Sequence, residues 1–262
     1  MAENRCSCPA VLPNLGAQSE ADQSISAASL NLAKEPDADK VLRTIFNTPR
    51  LRDTDLFLFQ EVVNEGSNSS VAEEIAGRLG YSAGFEPAPS SDYDQGLAVV
   101  SRYPITSVQT RRLKACDLRF RSRNRFAMRA TLQTPWSDLR VWNVHLDTRI
   151  NAEQRLNQLR PVIDEASRDS RPQLIGGDFN TNELYWLRNI VPVPGGPSHG
   201  PMIRNAMKEH GFETPFAGTL NTFPALGRHL DWIFLRDLTP VETSVQAVPF
   251  SDHNAIWVRF RF

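Results

Sequence analysis

Cysteine is scarce in this chain: Cys6, Cys8 and Cys116 are the three present in 262 residues. An odd count with two crowded near the N-terminus excludes a disulfide framework. No Cys/His spacing suggests a zinc site, so reduced cytoplasmic thiols are expected. Long hydrophobic runs are missing as well. None approaches the roughly 20 residues that cross a bilayer, and no transmembrane segment is expected. Neither charge sign dominates, since 29 Lys and Arg face 30 Asp and Glu for a net −1. Chains that coat duplex nucleic acid are often strongly basic, so non-specific coating is disfavoured while a local basic patch stays open. The first 25 residues lack a basic stretch followed by an apolar one, which reads as no signal peptide and a cytoplasmic address. There is no repeat period, no linker, and no G-x-S-x-G elbow of the kind a serine hydrolase needs.

What is present is an ordinary globular balance, 40% hydrophobic and 23% charged, with length for one large domain or two small ones. Residues 1–24, rich in Ala, Ser, Pro and Gln without period, read as a flexible arm. Ile25 to Leu32 predicts a strand, and Asp37 to Phe46 a helix with Val41, Leu42, Ile45 and Phe46 on one face. The run LFLF from Leu56 to Phe59 predicts a strand covered on both faces. Val71 to Leu79 has helix spacing and stops at Gly80. Gly96 to Val100, Phe126 to Gln133, Leu139 to His145, Leu174 to Gly177, Leu230 to Leu235 and Ala255 to Phe262 read as further strands. Asn151 to Ser167 is a helix with a stripe of Leu156, Leu159, Val162 and Ile163. Tyr185, Trp186 and Leu187, the one candidate for an exposed loop reaching a lipid, read rather as a short helix packing inward, residues 192–201 as a Pro/Gly loop, and Met202 to Glu209 as a helix. Strands interspersed with helices predict an α/β sandwich of sheets covered by helices.

Polar residues with metal or phosphate chemistry follow strand ends repeatedly. LFLFQE places Glu61 there, VWNVHLD places His145 and Asp147, and LIGGDFN places Asp178 and Asn180. HLDWIF starts a strand with Asp231, and SDH sets Asp252 and His253 before the last one. Strand ends are where rigid backbone meets a loop-lined crevice. Each piece alone is weak: a Glu after an apolar run is usually solvated, and a buried His is commonly just satisfied by a neighbouring carboxylate. GGDFN says more, because two adjacent glycines imply a close backbone approach.

Taken together and in this order, SLNLA at Asn31, LFLFQEV, GLAVVSRYPI, NVHLD, GGDFN, NTFP with LDWIF, and SDHNAI closely resemble the endonuclease/exonuclease/phosphatase superfamily. Deoxyribonuclease I-like nucleases, neutral sphingomyelinases, inositol polyphosphate 5-phosphatases and tyrosyl-DNA phosphodiesterases belong to it. HLDTRINAEQRLNQL is most similar to the tyrosyl-DNA phosphodiesterase branch. The resemblance implies a four-layer α/β sandwich of two mixed β-sheets covered by helices. It also implies one catalytic domain over residues 25–262, because the motifs run from Asn31 to His253. The implied activity is a phosphodiesterase using Mg²⁺, with Mn²⁺ as the alternative ion. Hard oxygen ligands such as Glu61 suit Mg²⁺. On this resemblance Asn31 helps hold the metal beside Glu61, and Asp252 is an outer or alternative ligand. Asp178 activates the attacking water and Asn180 donates to a phosphate oxygen. His253, oriented by Asp231, binds the phosphate, and His145 touches it from the other side. Thr222 in NTFP is expected near the substrate, and Arg149 and Arg155 are expected either to contact substrate or, as readily, to be solvated residues at a helix start.

Between Arg111 and Arg129 lie eight Lys/Arg (Arg111, Arg112, Lys114, Arg119, Arg121, Arg123, Arg125 and Arg129) against the single acid Asp117. Arginines alternating in RFRSRNRF would share one face of an extended segment, with Phe120 and Phe126 opposite. A polyanion would neutralise them, so Arg121, Arg123 and Arg125 are expected at the substrate; a charged edge strand guarding against aggregation is the bland alternative. The expectation is a monomeric phosphodiesterase acting first on nucleic acid. A phospholipid or small phosphodiester is the alternative substrate, and a non-catalytic binding module the remote one.

Overall fold

The computed structural model of the chain describes residues 23–64, 69–87, 95–116, 125–218 and 220–262. Two mixed sheets form its centre. The first has the order β12 (Thr239–Gln246), β13 (Ala255–Arg261), β1 (Ser24–Asn31), β2 (Leu56–Val63), β4 (Gln95–Ser101) and β3 (Ser82–Pro87). The second runs β11 (Asp231–Arg236), β8 (Gln173–Asp178), β7 (Asp138–His145), β6 (Phe126–Gln133) and β5 (Ile105–Arg112). Each sheet holds one parallel pair, β1 with β2 and β7 with β8, and antiparallel neighbours on both sides. The carboxyl ends of both parallel pairs lie at the same edge as the amino ends of β11 and β13, and the site is built there.

Alternation within the strands explains the layering. In β2, Leu56 and Leu58 point into the core shared by the two sheets, while Phe57 and Phe59 point outward. The outward side packs on α1 (Ala38–Asn47), α2 (Pro49–Arg52) and α3 (Val71–Leu79) through Val41, Leu51 and Ile75. Across the second sheet, Trp142, Val144 and Ile175 meet α4 (Ala152–Ala166) and α5 (His199–Glu209). Helices, sheet, sheet, helices: the expected four layers are present. Local signals hold at the helix ends. Asp37 caps α1, Ser70 and Glu73 form a reciprocal cap on α3, and Gly80 ends α3 at φ 70°.

A polar strut crosses the otherwise apolar space between the sheets. Gln60 Nε2 donates to Asn143 Oδ1 at 2.8 Å, and Asn143 Nδ2 donates to the carbonyls of Phe59 and Ala98. An unsatisfied amide there would cost about 1–3 kcal/mol, so this network fixes how the sheets meet beside the site. The two glycines before Asp178 do the same by absence. A Cβ on Gly176 would stand 2.7 Å from Leu58, and one on Gly177, at φ 141°, would stand 2.0 Å from the Val144 carbonyl oxygen.

Several expectations need correction. Tyr185 to Leu187 is not an inward helix, and 192–201 is not all loop. Leu184–Leu187 (β9) pairs with Val191–Pro194 (β10) in a two-stranded hairpin. Arg188 and Asn189 turn it with positive φ, as a tight hairpin turn demands. Phe46, in the last turn of α1, stays exposed while Val41, Leu42 and Ile45 are buried. Strands β3, β5 and β12 gave no signal because they are half-covered edge or near-edge elements. The N-terminal arm lies outside the described residues except for its end, where β1 begins at Ser24.

Candidate active site

Strand ends from both sheets converge on one cavity of about 430 Å³. Asn31, Glu61, His145, Asp178, Asn180, Asp252 and His253, all expected there, line it together. Glu61 reaches it through a local irregularity. The β2–β4 register slips between Phe59 and Val62, and Glu61 takes a φ of 52°. A bulge re-aims a side chain in this way, and holding a non-glycine residue at positive φ is a cost that functional sites commonly carry.

Asp178 is the centre of the cluster. It is buried, and its Oδ1 accepts from the Asn180 N–H at 2.8 Å while its Oδ2 accepts from Asn31 Nδ2 at 3.2 Å. The same Oδ2 lies 3.4 Å from His145 Nε2 and 3.8 Å from His253 Nε2. Burial, with the Asp231 and Glu61 carboxylates adding to it, pushes the Asp178 carboxyl up to about 7 despite the opposing His253. An acid raised in the folded state loses stability as pH climbs from its ordinary value towards 7, and a bound cation offsets that loss.

Asp231 does not reach the cavity. It stands directly across from Asp178 in the β8–β11 register, and its Oδ2 bonds His253 Nδ1 at 2.9 Å. Burial works against the imidazolium, but the Asp231 and Asp178 carboxylates outweigh it and hold His253 up to about 10. His253 is therefore cationic at neutral pH, with Nε2–H turned towards Asp178. Phe223 packs edge-on against its ring at 5.2 Å. Thr222 is fully buried, and its hydroxyl accepts from the N–H groups of Leu230 and Asp231. It positions Asp231 and does not face the cavity.

The basic residues divide differently from the expectation. Arg149 is exposed and lines no part of the cavity. Arg125 pairs with Asp147 at 3.2 Å, and Arg129 pairs with Glu165, so internal carboxylates neutralise both. Arg121 and Arg123 lie outside the described residues, as does Phe120, while Phe126 packs in the inter-sheet core. Arg155, expected either at the substrate or solvated at a helix start, is fully buried and does neither. Sequence reasoning missed Lys34, Asn182, Trp186 and Arg228, which also line the cavity. The Trp186 indole N–H is buried with no partner. Arg228 stands three residues before Asp231, just outside the HLDWIF stretch.

The donors suit a hard divalent cation. Glu61, Asp252 and Asp178 offer carboxylate oxygens around the same space, and Asn31 lines it with an amide whose oxygen also accepts from the Ala33 N–H at 2.9 Å. A tighter grouping, Asp178, Asp231 and His253 with donor atoms within 4.8 Å of one another, also exists. Asp231 and His253 already bond each other within it, so the Glu61 side of the cavity is the better seat for an ion.

The model of the Endonuclease/Exonuclease/phosphatase family matches residues 28–253. Among solved structures, an endonuclease/exonuclease/phosphatase from Beutenbergia cavernae superposes with TM-score 0.70 at 19% identity, covering 92% of this chain and 72% of that one. A D. rerio TDP2 humanised by 14 mutations gives 0.61 at 16%, covering 92% and 100%. A UPF0294 protein of Yersinia enterocolitica is 28% identical over 124 residues, which are 47% of this chain and 43% of that relative. The match thus spans less than half of the curated relative's length.

Proposed function

Because the chain belongs to the endonuclease/exonuclease/phosphatase family, we propose that it is a Mg²⁺-dependent phosphodiesterase acting on DNA or a DNA adduct, residues 25–262 forming one catalytic unit. The observation that carries this reading is the convergence of Glu61, Asp178, His145 and His253 from both sheets on one cavity. Glu61 and Asn31, with Asp252 beside them, would hold the ion, which supplies Lewis-acid charge relief on the phosphate oxygens. Asp178 accepts the proton of the attacking water as the water oxygen bonds to phosphorus. Burial raises its pKa, and a cation bound at Glu61 would counter that shift and keep the carboxylate ionised to accept the proton. The His253 imidazolium, held by Asp231, donates to a phosphoryl oxygen where negative charge grows. The leaving oxygen departs opposite the water and takes up a proton, for which His145 is the second imidazole at the cavity. Asn180 spends one amide hydrogen on the Leu146 carbonyl and keeps the other for the phosphate.

DNA is favoured by the likeness of HLDTRINAEQRLNQL to the tyrosyl-DNA phosphodiesterases and by Lys34 and Arg228 at the cavity. One observation favours phospholipid instead. Tyr185 opposes Val193 and Leu187 opposes Val191 on one face of the β9–β10 hairpin, and all four are exposed. An apolar face beside a phosphoester site is what an enzyme working at a lipid surface requires. The test is cleavage of end-labelled single-stranded, nicked, abasic and 5′-tyrosyl DNA, alongside sphingomyelin and phosphatidylcholine vesicles, each with Mg²⁺ and with EDTA. Metal-dependent DNA cleavage is expected. Release of phosphocholine with intact DNA would transfer the site to lipid.

A further inference from the structure

A second cavity of about 340 Å³ opens beside the first, and two residues, Asn182 and Arg228, line both. Its wall is cationic and aromatic. Arg204 of α5 lies over the Trp232 ring at 5.9 Å, and His229 stacks on that ring at 3.8 Å with an interplanar angle of 19°. On this wall Arg204 Nε is a donor buried without a hydrogen-bond partner among the described residues, while His229 turns Nδ1 to the Gly218 carbonyl and leaves Nε2 as an acceptor. Buried donors are normally satisfied, and an unpaired guanidinium N–H on a cavity wall asks for an acceptor. Among the described residues neither Arg204 nor Arg228 has a carboxylate within ion-pair distance, whereas Arg125, Arg129 and Arg140 each do. One acid, Glu183, also lines the cavity, and it is exposed to solvent. The first turn of α5 contributes Gly200, whose missing side chain leaves the cavity open towards Trp232.

We propose that this cavity is a second anion subsite, taking a phosphate or carboxylate carried on one substituent of the scissile phosphoester. This rests on the phosphodiesterase reading for the first cavity and narrows its substrate class to esters bearing a further anionic group. Arg228, common to both cavities, would bridge the two anions. Arg204 supplies the charge at the far end and the His229 ring the flat wall. Guanidinium donors suit such a group because they offer several N–H bonds in fixed geometry.

The test needs no turnover. Calorimetric titration of the full chain with inorganic phosphate, in EDTA, reads anion binding without a cation, and Arg204, which lines the second cavity and not the first, assigns it there. Binding is expected in the wild type, weakened about tenfold or more by Arg204→Gln, the loss of one charge-assisted contact. Arg204→Lys should restore part of it, which separates charge from packing. A second titration with thymidine 5′-monophosphate distinguishes the source. Equal affinity to inorganic phosphate means the anion alone is read, and tighter binding means a nucleotide is. No phosphate binding by the wild type, or equal binding by Arg204→Gln, overturns the subsite. Intact phosphate binding in a protein that cleaves no phosphodiester would overturn the catalytic reading instead.

Discussion

Replacing Asp178 by Asn is expected to lower phosphodiester turnover by at least about 10²-fold while the fold survives. The substitution keeps the shape and the acceptor for the Asn180 N–H, so the GGDFN turn has no reason to rearrange. What it removes is the one buried carboxylate that both imidazoles approach. It also discharges the site, so thermal melting in EDTA should not fall and the loss reads as chemistry. The wild-type rate carries a matching pH signature. Asp178 must be ionised to accept a proton, and its carboxyl sits near 7 without a cation. Turnover should therefore fall as pH drops through and below that region, by about tenfold per unit at its steepest. A bound cation moves this limb to lower pH, since it favours the ionised acid. Asp178→Asn should lack the limb. Steady-state rates across pH for both proteins check it, and near-wild-type turnover in the variant would remove Asp178 from its role.

The second large effect is expected at Arg155→Met. This guanidinium, fully buried in α4, donates to the carbonyls of Asp147, Thr148, Ile150 and Phe179 and to His199 Nδ1. Burial lowers its pKa to about 9, with Asp178 and Asp147 opposing that shift, so it remains a cation at neutral pH. It ties the segment after His145 to the one between Asp178 and Asn180. Hydrogen bonds to a charged donor contribute about 1.5–3 kcal/mol each, and their carbonyls would be stranded without it. Met fills similar volume but donates nothing, so a stability loss of about 3–5 kcal/mol is expected. Urea unfolding measures this. A loss under about 1 kcal/mol would mean the carbonyls find water. Activity should fall as well, because the loops carrying His145 and Asp178 lose their common anchor.

This role changes how one stretch of sequence is understood. HLDTRINAEQRLNQL was the block closest to a DNA-acting branch, yet much of it holds structure. Asn151 caps α4, Gln158 bonds both the Asp147 N–H and its carboxylate, and Arg155 clamps the loops. The strand-end motifs were legible because rigid alternating strands fix where each side chain emerges. Glu61, His145, Asp178 and His253 needed only the right order to be read. The aim of Glu61 was not legible, since a register slip leaves no compositional trace. The β9–β10 hairpin was hidden for a related reason. Pro192 and Pro194 argue for a loop, but in a two-stranded ribbon they cost little ladder bonding. The second cavity was hidden altogether, because Arg204, Arg228 and Trp232 meet only through the packing of α5 on β11. In the described part of the basic run from Arg111, Glu165 and Asp147 are partners supplied by a distant helix and loop, which no local reading shows.

The central claim is that this cavity hydrolyses phosphodiesters through a cation held at Glu61. Its most direct measurement is the Mg²⁺ concentration giving half-maximal cleavage, for wild type and Glu61→Ala. Removing a direct carboxylate ligand should raise that concentration by about tenfold or more, above the lower end of what even outer partners of a metal site contribute. An unchanged titration, at any maximal rate, would place the ion elsewhere and contradict the account.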